Sequence, residues 1–113
     1  MRSVTILEVE TVEGNGHTAL LLKGELDLST VGKVEDALKR AEADEPELLV
    51  LDLAQLTFLD STGLRLIVVA DQRARERGRR LVVVKGPETV QRVFTITRLD
   101  ERLNMVDDIS SLV

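Results

Sequence analysis

From Val4 to Val12 the chain reads VTILEVETV, rich in β-branched residues and partly alternating, which predicts a strand with one buried face. Gly14-Asn15-Gly16 follows, residues that tolerate positive φ, and HTALLLK from His17 to Lys23 resumes extended character. A hairpin is expected. After Gly24-Glu25-Leu26-Asp27-Leu28, either Ser29 or Thr30 can cap a helix whose apolar positions Val31, Val34, Leu38 and Ala41 keep helical spacing. Pro46 is expected to end that helix, and the acidic run from Glu42 to Glu45 reads as a solvated loop.

The next run, ELLVLDL from Glu47 to Leu53, barely alternates, as expected of a central strand buried on both faces. Leu56, Phe58 and Leu59 are expected to anchor the connection that follows. At Asp60 the apolar run stops, Ser61, Thr62 and Gly63 intervene, and a second apolar run begins at once. Asp, Ser and Thr cap helix N-termini because their oxygens accept hydrogen bonds from backbone N–H groups that lack intrahelical partners. The pattern therefore places a hydroxyl at the mouth of a second helix.

At roughly 100° per residue, Gly63, Leu66, Ile67, Ala70 and Ala74 share the core face of that helix. Arg65, Val68, Val69 and Gln72 fall elsewhere, which makes Val68 and Val69 apolar candidates for partner contact. Arg73, Arg75, Arg77, Arg79 and Arg80 suit a helix C-terminus, with Gly78 as its cap. Leu81 to Val84 predicts another buried strand, and Gly86-Pro87-Glu88 opens a third helix with Val90, Val93 and Phe94 inward. A short last strand is expected from Leu103 to Val106, and Asp107 to Val113 has the pattern of a brief terminal helix. Together these elements imply an α/β fold. One domain, residues 1–113, would hold a mixed, mostly parallel sheet of about five strands faced by three to four helices.

Composition narrows the function. The chain has 113 residues with a net charge of -5, and its two Phe residues, Phe58 and Phe94, are its only aromatics. Nucleic-acid binding is disfavoured, since phosphate neutralisation needs cations and unpaired bases need stacking platforms. No cysteine is present, so disulfides and thiolate chemistry are excluded. The single His17 lacks the companions a metal site requires, so no metal or cofactor is expected. The first ten residues, MRSVTILEVE, lack the continuous apolar region of a signal peptide, and no run reaches the roughly 18 residues of a membrane span. A cytoplasmic location without membrane insertion is the expectation.

Gly24-Glu25-Leu26-Asp27, the strand LLVLDL, the run Phe58-Leu59-Asp60-Ser61-Thr62-Gly63-Leu64 and the later PETVQRVFTITRLD segment, taken in order, resemble the STAS domain in its bacterial form, the anti-sigma factor antagonist. The resemblance spans nearly the whole chain. It implies that Ser61 is phosphorylated by an anti-sigma factor, a serine kinase with a histidine-kinase-like ATP fold. The unphosphorylated antagonist would capture that kinase and free the sigma factor, and a metal-dependent serine phosphatase would reset the switch. Thr62 is the alternative phosphoacceptor. Glu25 and Asp27 match the family's partner-binding loop, and Asp60, Thr62, Gly63, Arg65, Val68 and Val69 complete the candidate contact surface. Asp60 can cap the helix or position the hydroxyl, while Gly63 can allow close approach by a kinase.

An enzyme is not expected. Ser61 lacks a Gly-x-Ser-x-Gly elbow, His17 belongs to a distant hairpin, and no Gly-rich phosphate loop with its Lys is present. A receiver domain with Asp52 as phosphoacceptor would need an acidic pair after its first strand, where this chain has a hairpin. The nearer rival lies within the same fold, a constitutive STAS scaffold subunit of a stress-signalling or membrane transport complex.

Overall fold

A computed structural model describes residues 6–112. It contains β1 (Leu7–Gly14), β2 (His17–Leu26), α1 (Val31–Ala43), β3 (Leu48–Leu59), α2 (Ser61–Glu76), β4 (Arg80–Val84), α3 (Glu88–Ile96) and β5 (Met105–Val106), with 3-10 turns at Leu99–Glu101 and Ile109–Leu112. The sheet order is β1-β2-β3-β4-β5, with β1 antiparallel to β2 and the other pairs parallel. This is the expected mixed, mostly parallel sheet. Val4 and Thr5, where the first strand was expected to begin, and Val113 lie outside the described residues.

The register explains the main core. Leu20 pairs with Leu51 and Leu49 with Leu81, so Leu20, Leu22, Leu49, Leu51, Leu81 and Val83 share one face. The buried apolar side chains of all three helices, including Leu38, Ile67 and Phe94, join them in a single cluster. Ala19, Val50 and Val84 form a smaller cluster on the opposite face. Leu49, Val50 and Leu51 are thus buried on both sides, as the unbroken apolar run predicts.

Beyond Leu53 the structure departs from the expected strand end. β3 continues to Leu59, and against β2 it carries an extra residue twice, between the Leu21 and Lys23 pairings and between those of Gly24 and Glu25. Each bulge restores the inward phase, so Leu53, Leu56 and Leu59 are all buried despite a spacing incompatible with simple alternation. Leu56 and Leu59 anchor as strand residues, whereas Phe58 is 46% exposed rather than an anchor.

Several local expectations are also corrected. Neither Ser29 nor Thr30 caps α1 with its side chain. Instead Asp27 Oδ1 accepts from Ser29 N (2.9 Å), and the Asp27 carbonyl accepts from Val31 N (2.9 Å). The Asp27 carboxylate, two positions before Ser29, reaches forward to the turn's free N–H as an Asx-turn does. α1 also runs through Glu42, which is half-buried and paired with Arg73 (3.0 Å), so the acidic run is not wholly a solvated loop. The last strand comprises only Met105 and Val106, and its successor is a 3-10 turn rather than an α-helix.

At the C-terminus of α2, Gly78 takes φ +68°, Gly78 N donates to Arg75 O (3.1 Å), and Arg79 N donates to Ala74 O (2.8 Å). This is a Schellman end, and it turns the chain into β4. Among the described residues, no helix is long and apolar enough to cross a membrane.

Candidate functional site

The parallel strands β2 and β3 end side by side, and each feeds a helix, so two turns meet at one end of the sheet. Asp60 joins them. Its backbone is extended (φ -102°, ψ -177°), which places it outside the helix as the N-cap. Oδ1 accepts from Gly63 N at 3.0 Å, Oδ2 accepts from Leu28 N at 3.2 Å, and Asp60 N donates to Leu26 O at 3.2 Å. One carboxylate therefore caps α2 and ties the preceding β2–α1 turn to it.

That turn is itself internally braced. Thr30 Oγ1 donates to Glu25 O (2.8 Å) and accepts from Asp27 N (3.0 Å), while Thr57 Oγ1 donates to Gly24 O (3.1 Å). Asp27 also accepts from Ser29 Oγ at 2.7 Å. The Ser29 hydroxyl bond, foremost among several bonds that favour the charged form, holds the Asp27 carboxyl below the usual range despite the opposing effect of burial. Gly24 is required by geometry, because at φ +117° a Cβ would collide with the Ile6 carbonyl oxygen.

Within this frame Ser61 is the first residue of α2 and its side chain is exposed. Thr62 is half-buried beside it and turns toward the groove between α1 and α2. The groove encloses about 410 Å³ and has an apolar floor that includes Val31, Leu66 and Val69, with the Arg73–Glu42 ion pair toward its far end. Arg65 is exposed at its rim. Val68 lies on the other flank of α2, in a cavity shared with Leu99 and Arg102. Val68 and Val69 therefore do not form one patch.

Gly63 also differs from its expected role. It is buried, and an added Cβ would stand 2.7 Å from both Leu26 Cγ and Leu59 Cδ1, so its missing side chain serves the approach of α2 to its own strands. Glu25 and Asp27 are half-buried in the adjoining turn, and Glu25 pairs in register with Phe58. The structure thus gathers Glu25, Asp27, Asp60, Ser61, Thr62 and Arg65 around one end of the sheet. His17 lies at the other end, paired with Leu48 where β3 begins.

Sequence patterning overlooked three apolar residues at this end. Leu28 is 75% exposed, Ile6 60% and Phe58 46%. Leu28 N is bonded to Asp60, Ile6 O accepts from Glu25 N (3.0 Å), and Phe58 is the strand partner of Glu25. Leu28 is a lone apolar residue in a polar segment, and only that anomaly could have marked it. Phe58 reads as core until the bulges in β3 are known. Among the described residues, no group of three or more His, Asp or Glu side chains gathers at metal-binding spacing.

The strand ends thus present a capped, exposed serine from a β-strand to α-helix junction, with a braced acidic turn beside it, on a mixed five-stranded sheet of the STAS type. The STAS domain family model matches residues 8–112, and the chain belongs to that family. Among characterised relatives it is 33% identical over 99 residues to the anti-sigma-B factor antagonist of Listeria monocytogenes, covering 88% of this chain and 83% of that one. It is 30% identical over 99 residues to the anti-sigma-F factor antagonist RsfB of Mycobacterium tuberculosis, covering 88% and 80%. The fold matches the crystal structure of an anti-sigma factor antagonist from Mycobacterium paratuberculosis with a TM-score of 0.88, at 22% identity and with 98% and 94% of the two chains covered.

Proposed function

We propose that this protein is an anti-sigma factor antagonist that acts in the cytoplasm as a phosphorylation-switched binding module. Its unphosphorylated form captures an anti-sigma factor serine kinase and releases the sigma factor. Ser61 is the phosphoacceptor, and a metal-dependent serine phosphatase restores the binding form. The observation that carries this reading is the exposed Ser61 hydroxyl beside the exposed apolar residues Leu28 and Phe58. Such residues cost little in the free domain and gain most when a partner covers them. The exposure of Ser61 and partial burial of Thr62 favour Ser61 as the acceptor.

Phosphorylation adds about -1.5 to -2 charge and bulk at a helix N-terminus, which tolerates an anion, so the fold survives the modification. Binding suffers instead. A partner group of like charge about 6 Å away, at an effective dielectric near 20, is repelled by about 3 kcal/mol per unit charge. That corresponds to about a hundredfold in affinity.

The test is to incubate the purified protein with ATP and the cognate kinase, map the product by mass spectrometry, and measure capture by calorimetry. One phosphate on Ser61, none on Ser61→Ala, a large loss of affinity on modification and weaker capture by Leu28→Ser are expected. An unmodified wild-type protein would favour the constitutive scaffold, and equal affinities of the two forms would defeat the switch.

A further inference from the structure

Ser61 and Arg65 stand one helical turn apart on the exposed surface of α2. Residues at this spacing have Cβ atoms about 5–6 Å apart, within easy reach of a guanidinium. Three cations on α2 and α3 are occupied: Arg73 pairs with Glu42, Arg75 with Asp71 and Arg92 with Glu88, whereas Arg77 and Arg79 stand at the opposite, C-terminal end of α2 from Ser61. Lys33 on α1 donates to Leu7 O at 2.9 Å. The Arg65 side chain enters no hydrogen bond or ion pair among the described residues. It is the unengaged cation nearest in sequence to the serine on the same helix.

We propose that Arg65 is the intramolecular receptor for a phosphate on Ser61, a positioning residue that folds the modified side chain back along α2. This rests on Ser61 being the modified residue. The charged groups around the phosphate make the pairing consequential. Asp60 adjoins it, Glu25 and Asp27 lie in the tied turn, and both Asp60 oxygens are already committed to backbone N–H groups. Asp60 and Asp27 are held in place by these bonds and by those from Ser29, so a nearby cation is what offsets the repulsion. A guanidinium offers two parallel N–H donors to phosphate oxygens, which a lysine ammonium cannot match in geometry. The switch then acts twice: it adds negative charge at the α2 N-terminus and withdraws the free Arg65 cation from the surface offered to a partner.

The experiment installs phosphoserine at position 61 by genetic-code expansion, so that no cognate kinase is needed, and follows the second ionisation of the phosphate by phosphorus NMR. A neighbouring guanidinium favours the dianion, and the wild-type midpoint is expected to lie about 0.5 pH unit below that of Arg65→Gln. Arg65→Lys should recover part of the difference, and Arg77→Gln none of it. The wild-type offset should shrink in high salt. Identical midpoints for wild type and Arg65→Gln, with both variants folded by circular dichroism, would overturn the pairing. A phosphoprotein that shows the offset yet still captures the kinase would defeat the proposed switch and leave the pairing intact.

Discussion

Asp60→Ala tests the central joint of the site. The substitution removes the acceptor for Gly63 N, whose residue is buried and cannot turn to water, and the acceptor for Leu28 N in an exposed turn. Loss of an N-cap of this kind costs about 1–2 kcal/mol, and the solvent-accessible second bond about 0.5 kcal/mol. The sum is about 2 kcal/mol. Unfolding entropy near 2.1 cal/mol/K per residue converts that into a fall in Tm of about 8 °C for a chain of this length. Asp60→Asn separates the two functions. Asparagine caps a helix about as well as aspartate, but its amide would present N–H groups to Leu28 N, so it should lose the tie and keep most of the stability. Thermal unfolding by circular dichroism reads the first effect, and amide hydrogen exchange at Leu28 and Gly63 reads the second. If Asp60→Ala melts within about 2 °C of wild type, or if Asp60→Asn is as damaging as Asp60→Ala, the carboxylate is not the joint described.

Two further outcomes follow from particular contacts. Gly63→Ala should destabilise by about 1–3 kcal/mol in chemical denaturation, because its methyl would enter the side chains of Leu26 and Leu59 at 2.7 Å and force α2 outward; a stability equal to wild type would contradict that packing. Asp27 should titrate by NMR below the 3.8 of an unperturbed aspartate, and Ser29→Ala should move it back up. Since the folded value is depressed, the bracing by Asp27 is present above about pH 4 and is lost as the pH falls through the folded value. An unchanged midpoint in Ser29→Ala would rule out that hydroxyl as the main cause.

Much of the architecture was legible because it depends on local periodicity. The helical spacing of Val34, Leu38 and Ala41, the buried run Leu49 to Leu51 and the Gly78 terminus each follow from the nearest few residues, and the structure keeps them. The extent of β3 was not legible. Its bulges arise from pairing with β2, and a bulge changes which residues face inward without leaving a mark in the strand's own pattern. That is why Phe58 reads as an anchor and is found exposed. The cap of α1 escaped for a related reason. Ser29, Thr30 and Asp27 are all competent acceptors, and the loop's hydrogen bonds to Glu25 and to Asp60 decide among them.

By itself the sequence determined that one domain builds a mixed sheet, and that a serine stands at the start of its second amphipathic helix. Backbone preference and hydrophobic period suffice for both. Only the tertiary structure decided that Asp60 joins two distant turns, that Gly63 meets Leu26 and Leu59 too closely to admit a side chain, and that Val68 and Val69 part to opposite flanks of α2. It also brought Leu28 and Phe58, 30 positions apart, to the same end of the sheet. These features depend on strand order and register, which are set by which surfaces bury each other across the whole chain.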